Sequence, residues 1–190
     1  EQFVSLFLVK DSIGNFWVSS NKGLIKFNPL LPEQEIIFRN YDVKDGLLNS
    51  EYNSGAALLG ASGNMYFGGT NGYNVFRPAA IKDNFNVPGV YVISYKRGGL
   101  DVTIDSNIVY KKFLNLSWRE NYFQFEVVAL DYTDPSKNKF KYILEGYDND
   151  WSAPSNVRYI SYTELPGGDY TFKVKAANND GVWNETPYEI

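Results

Sequence analysis

The chain has 190 residues, 18 Lys plus Arg against 22 Asp plus Glu and a net charge of −4, so it has no basic excess with which to hold nucleic acid or an anionic membrane surface. It contains no cysteine and no histidine, which excludes disulfide frameworks, thiolate chemistry, zinc–thiolate sites, His-based triads and a phospho-accepting histidine within these residues. Aromatic residues make up 17% of it, a composition that suits strands and a packed core.

The chain opens on a strand-like stretch, Phe3 to Val9, and closes on another, Tyr188-Glu189-Ile190. With no initiator Met and no signal-peptide pattern, both ends read as cut from something longer. No apolar run approaches the roughly 18 residues needed to span a bilayer.

An internal repeat organises the first part. Gly14-Asn15-Phe16-Trp17-Val18 returns as Gly63-Asn64-Met65-Tyr66-Phe67, an offset of 49 residues, and Gly23, Phe27 and Pro29 match Gly72, Phe76 and Pro78. Each copy reads as turn, strand, turn, strand. Asp11 to Asn15 and Ala61 to Asn64 carry turn chemistry. Strands are predicted at Phe16 to Ser19 and Met65 to Gly68, followed by a turn at Gly23 or Gly72 and a strand ending at the proline. Between the copies, Glu35 to Tyr41 and Gly55 to Leu59 supply further strands. Four short strands in about 40–50 residues is the pattern of a propeller blade.

The pattern lapses between Arg77 and Pro88, the expected boundary between domains 1–86 and 87–190. Strands are then predicted at Val90 to Tyr95, Ile108 to Leu116, Tyr122 to Leu130, Phe140 to Glu145, Val157 to Ser161 and Asp169 to Ala177. In the last of these Tyr170, Phe172, Val174 and Ala176 alternate with Thr171, Lys173 and Lys175. Turn signals at Asp134-Pro135-Ser136, Asp148-Asn149-Asp150, Leu165 to Gly168 and Asn178 to Gly181 separate the strands. About 100 residues with some seven short strands is the size of an immunoglobulin-like sandwich. The expected fold class is all-β: a partial propeller of one to two blades followed by an immunoglobulin/fibronectin III-like sandwich.

Leu165-Pro166-Gly167-Gly168-Asp169-Tyr170 resembles the approach to the sixth strand of fibronectin type III domains, which makes Tyr170 the tyrosine corner. The wider set resembles the three-tyrosine (Y_Y_Y) domain of bacterial sensors, its tyrosines falling here on Tyr142, Tyr162 and Tyr170. It runs from Glu120-Asn121-Tyr122-Phe123 through Tyr142 to Asp148, Trp151, Arg158 and Tyr162 to Tyr170, and ends at Gly181-Val182-Trp183-Asn184. The stretch from Gly14 to Phe27, with Asp45-Gly46-Leu47, Asn53 to Ala56 and Tyr66 to Phe76, is similar to the two-component-regulator propeller repeats that precede that domain.

The resemblance implies the periplasmic, extracytoplasmic portion of an inner-membrane sensor, often a hybrid histidine kinase. Its propellers recognise a polysaccharide breakdown product, and its sandwich passes the signal on in a homodimer. Two departures stand out: fewer than two blades are present, and the chain stops where the last strand of the sandwich is expected to run on. Fewer than two blades leave an apolar face bare, so residues 1–86 are expected to self-associate or to be loosely ordered.

Candidate chemistry is sparse. Asp131 with Asp134, or Asp148 with Asp150, have the residue types for acid–base work, but each pair sits in turn-rich sequence where Asp caps backbone N–H groups. Asp148-Asn149-Asp150-Trp151 begins like a calcium loop and lacks its later Gly and Glu. Gly68-Gly69-Thr70-Asn71-Gly72 is glycine-rich, yet a strand rather than a helix follows it, which favours tight turns over a phosphate cradle. Trp17, Tyr66, Tyr73 and Trp118 have the flat faces that stack on sugars, and the same residue types pack blade against blade. Trp151 and Trp183 flank turns and read as core or interface residues. No catalytic, ligand-binding, metal or cofactor residue is assigned. The alternative to a sensor segment is an accessory, non-catalytic module of a secreted carbohydrate-active propeller enzyme or an adhesin.

Overall fold

The computed structural model describes residues 5–98, 100–101, 108–117 and 122–190. The chain falls into two compact units, Glu1–Asp83 and Asn84–Ile190. Among the described residues it is all-β, with 3-10 turns in place of helices.

The first unit holds two antiparallel sheets. β1 (Ser5–Lys10), β2 (Phe16–Ser20), β3 (Gly23–Phe27) and β4 (Arg39–Tyr41) form a four-stranded meander. β5 (Tyr52–Leu59), β6 (Met65–Gly69) and β7 (Gly72–Phe76) form a three-stranded one. The 49-residue repeat is visible in the strand register and in the first turn of each copy. Asp11 N donates to Asn15 O at 2.9 Å as Gly60 N donates to Asn64 O at 2.8 Å. Ser20 pairs with Gly23 as Gly69 pairs with Gly72, and Phe16 with Phe27 as Met65 with Phe76. Gly23 sits at φ 110° with the carbonyl of Tyr41 against its Cα, where a Cβ would lie 2.0 Å from that oxygen. Only glycine fits both the turn and the approach of β4.

The two sheets pack through opposite faces of the same repeat. Trp17 and Leu24 from the first sheet meet Met65 and Phe67 from the second, and Trp17 corresponds by the offset to Tyr66 rather than to Met65 or Phe67. Face-to-back stacking of this kind is how blades follow one another in a propeller. The strand expected at Glu35 to Tyr41 is shorter, a 3-10 turn at Glu33–Glu35 preceding β4. The strand expected from Gly55 starts earlier, because Tyr52 pairs with Gly69 across a bulge and enters the core.

The second unit is a sandwich. One sheet has the order β12 (Tyr159–Tyr162), β10 (Phe123–Leu130), β8 (Gly89–Arg97), β9 (Leu100–Asp101). The other has the order β11 (Lys139–Glu145), β13 (Thr171–Ala177), β14 (Tyr188–Glu189). The period-2 pattern decides what is buried: Phe123, Phe125 and Val127 from β10 face Phe172, Val174 and Ala176 from β13. Rings of Phe125 and Phe172 lie 4.7 Å apart.

The strand expected at Ile108 to Leu116 is absent. Only a 3-10 turn, Ile108–Tyr110, forms there. Ile108 and Leu114 are separate anchors on the core. Tyr110 and Phe113 between them are exposed, so the stretch has no alternating face to offer a sheet.

Candidate functional site

The densest polar cluster lies where the second unit begins. Asp131 follows β10 and is 3% exposed. Its Oδ2 accepts from Asn84 Nδ2 and Asn86 Nδ2, each at 3.0 Å, and its Oδ1 from Thr133 N at 3.2 Å. Asn178 follows β13 and is 1% exposed. Its Nδ2 donates to the carbonyls of Asn84 at 2.9 Å and Asn86 at 2.8 Å, while its Oδ1 accepts from Asp180 N and Val182 N, both at 2.9 Å. Two donors and two acceptors use the whole capacity of the amide. Asp180 Oδ2 accepts from Asn84 N at 2.5 Å, and Asn184 Nδ2 donates to Pro88 O at 2.9 Å. Residues 84–88 are thus clasped to the ends of β10 and β13. Burial raises the Asp131 carboxyl, but the hydrogen bonds from Asn84, Asn86 and Thr133 outweigh it and hold the group below its ordinary value.

The preceding residue is pinned into its own unit. Asp83 accepts Lys26 Nζ and Arg39 Nη1, both at 2.8 Å. Lys26 is 7% exposed, so this ion pair also neutralises a buried ammonium.

The three tyrosines have separate jobs. Tyr170 donates from its hydroxyl to Pro166 O at 2.9 Å, closing the tyrosine corner. Tyr162 donates to Asp148 Oδ2 at 2.8 Å, and the same oxygen accepts Leu144 N at 2.7 Å. Tyr142 contributes its ring, edge-on to Tyr162 at 6.4 Å. Burial raises the Tyr162 phenol, and the hydrogen bond to Asp148 with its charge raises it further. Burial alone pushes Tyr52, whose hydroxyl donates to Asn74 Oδ1 at 3.0 Å, up to about 12. A phenol raised on folding stabilises the fold fully below its unfolded value of about 10 and loses that contribution as pH rises through its folded value. Ultraviolet titration should show Tyr52 and Tyr162 ionising only above the ordinary tyrosine value of about 10, as the chain unfolds. A single transition near 10 that leaves the circular dichroism intact would refute this.

The remaining sequence candidates are placed as follows. Asp134 is apart from the Asp131 clasp in its bonding, accepting Ser136 N at 3.1 Å and Ser136 Oγ at 2.6 Å. Asp148 is committed to Leu144 and Tyr162, while Asp150 is exposed. Neither pair converges on a shared site. Among the described residues, no group of three or more His, Cys, Asp or Glu is placed to hold a metal. The Gly68–Gly72 run makes the two-residue hairpin between β6 and β7. Trp17 is 1% exposed, its Nε1 donating to Asp11 Oδ2 at 3.1 Å and its ring stacked on Tyr41 at 5.4 Å. Burial raises Asp11, but the bonds from Trp17, Asn15 and Ile13 lower it more. Tyr66 is half-buried and Tyr73 is 64% exposed. Trp118 lies outside the described residues. Trp151 and Trp183 lie under Lys175 and Lys141, whose Nζ atoms sit 5.1 and 4.8 Å from the ring centroids. These cation–π contacts separate two lysines that face each other across β11 and β13.

Asn84, Asn86 and Asn178 are the functional candidates that the sequence pattern passed over. The signal was there as a polar, Asn-rich run beside Pro88 and an Asn-Asn-Asp-Gly turn, each read singly as loop chemistry.

Residues 131–190 match the Y_Y_Y domain model. The chain is 33% identical over 187 residues to "Histidine kinase P4" of Formosa agariphila, an alignment covering 95% of this chain and 13% of that protein. A solved structure similar in fold is the extracellular domain of a protein assigned to a hybrid two-component system, BT3049 of B. thetaiotaomicron. It has a TM-score of 0.75 and 23% identity, covering 97% of this chain and 25% of the other. A second is the extracellular domain of BT4673 from the same organism, with a TM-score of 0.51 and 24% identity, covering 99% of this chain and 25% of the other. Among the described residues, no helix is long and apolar enough to cross a membrane. The chain spans a small part of the curated relative and a quarter of these solved domains; within it, residues 131–190 match the Y_Y_Y domain model, in an all-β fold similar to that of these extracellular domains.

Proposed function

We propose that this chain is the sensing and signal-coupling segment of a periplasmic receptor region in a two-component sensor of the inner membrane, with no bond-making chemistry of its own. The observation that carries the reading is the pair of anchors on consecutive residues. Asp83 is ion-paired within the first unit, and Asn84 is hydrogen-bonded within the second. Each of the two residues is thereby fixed to its own unit, one on either side of the boundary. The similarity to a histidine kinase and to extracellular domains of two-component systems supports the same role. The propeller-repeat resemblance supplies the ligand class, an oligosaccharide, and the arrangement in a homodimer.

The mechanism is a population shift. Ligand held by the propeller favours one arrangement of the paired sandwiches, and it shifts the equilibrium only by its difference in affinity for the two. The test is calorimetry of the whole extracytoplasmic region against a panel of glycan oligosaccharides, followed by phosphorylation of the reconstituted receptor with the binder. Saturable binding that raises or lowers phosphate incorporation is expected. Binding with no effect on phosphorylation refutes the coupling role, and no binding across the panel refutes the ligand class.

A further inference from the structure

The two hairpin turns of the repeat differ in one chemical group. In the first, Ser20 is buried and its hydroxyl is used twice: Oγ donates to Gly23 O at 2.9 Å and accepts Lys22 N at 3.0 Å. In the second, Gly69 stands where Ser20 does, so that position brings no hydroxyl to the turn. Its surroundings are polar and close. A Cβ on Gly69 would lie 2.8 Å from Asn49 Nδ2 and 2.6 Å from Glu51 O. Asn49, in the loop between β4 and β5, is 4% exposed, and neither its Nδ2 nor its Oδ1 has a hydrogen-bond partner among the described residues. The neighbouring acceptors are already engaged. Asn74 Oδ1 accepts the Tyr52 hydroxyl at 3.0 Å and Leu48 N at 3.3 Å, which fills both its lone pairs. Ser50 O accepts Gly23 N at 2.7 Å. A buried amide with both a free donor and a free acceptor is rare in folded proteins and calls for a bound partner.

We infer that the Asn49 carboxamide is the binding site of one internal water molecule, which plays at the second turn the part that the Ser20 hydroxyl plays at the first. The chemistry selects water. A cation satisfies only Oδ1 and an anion only Nδ2, whereas water accepts from one and donates to the other. Both amide atoms are sealed from solvent, which closes the site to any larger hydroxylic molecule. Glu51 O, turned to the same glycine, offers a third contact. It and Asn49 Nδ2 both stand within 2.8 Å of one point, a separation that a single water spans. The loop is thereby joined to both sheets of the first unit, to the first through Ser50 O and to the second through the water.

Water–protein NMR on the chain of residues 1–190 tests the assignment without any other ligand, so its outcome is separate from that of the sensing role. The Asn49 side-chain amide protons are expected to give a water cross-peak with the sign of a long-lived complex. Tyr52→Phe is expected to keep that cross-peak, because it removes the phenol proton, the alternative relay to solvent. Asn49→Leu removes donor and acceptor together at similar volume, and the number of long-lived waters counted by oxygen-17 relaxation dispersion is expected to fall by one. Absence of the cross-peak in the native chain, its loss in a folded Tyr52→Phe chain, or an unchanged count in a folded Asn49→Leu chain each overturns the inference. If either variant fails to fold, the native cross-peak and the other variant decide it.

Discussion

Asn178→Asp should lower the stability of the second unit by about 3–5 kcal/mol, although it exchanges one nitrogen for one oxygen. The native Nδ2 donates to the carbonyls of Asn84 and Asn86. A carboxylate there sets acceptor against acceptor at a side chain that is 1% exposed. The buried acid has its pKa raised by desolvation and by the two carbonyls. The loss is therefore complete above that raised value and recovers in part as pH falls through it, when the protonated acid regains one donor. Denaturant unfolding followed across pH 4–8, with hydrogen exchange of residues 84–88, provides the readout. In the receptor proposed above, the same variant is expected to bind ligand and fail to signal. A pH-independent loss of stability, or intact signalling from a variant whose 84–88 amides exchange freely, would count against the clasp as a coupling element.

Trp17→Ala is expected to cost about 3–5 kcal/mol in the first unit, the range for deleting a large buried aromatic. Three losses combine. The ring leaves a void between Tyr41 and Phe76, its neighbours at 5.4 and 4.9 Å. The Nε1 donor to Asp11 disappears. Lys26 also loses the ring face 5.9 Å from its ammonium. Trp17→Phe keeps most of the volume and loses the Nε1 donor, which predicts a cost nearer 1–2 kcal/mol. Tryptophan is one of four in the chain, so unfolding is best followed by exchange of β2 and β6 amides. Equal effects for Ala and Phe would shift the explanation from the void to the hydrogen bond alone.

Much of this was legible in the residues. The 49-residue offset specified four hairpins of the first unit, because Gly14, Gly23, Gly63 and Gly72 all have positive φ at turns where side chains are strained. Alternation gave the inward set of β13 as Phe172, Val174 and Ala176, since strand geometry ties sequence parity to sheet face. The resemblance of Leu165 to Tyr170 to a fibronectin strand approach implied the tyrosine corner, and the Tyr170 hydroxyl donates to Pro166 O. The three-tyrosine resemblance pointed to the domain that residues 131–190 match.

Local pattern failed where a residue's role is set by partners far along the chain. The Ile108 to Leu116 stretch is apolar enough for a strand, and whether a sheet edge is free to receive it is decided by the rest of the sandwich. Asn84 and Asn178 are 94 residues apart and look like ordinary loop residues until the fold brings the start of the second unit and the end of β13 within 2.9 Å.

By itself, then, the sequence determined the period-2 and 49-residue periodicities, the turns and the absence of His and Cys chemistry, because each depends on near neighbours or on composition alone. Tertiary structure alone decided which face of each blade-like sheet is covered, that Asp131 holds the side chains of Asn84 and Asn86 while Asn178 holds their carbonyls, and that Asp83 and Asn84 are held from opposite directions along the chain. Those outcomes depend on long-range burial, where an unpaired polar group costs about 1–3 kcal/mol and partners are found wherever the fold supplies them.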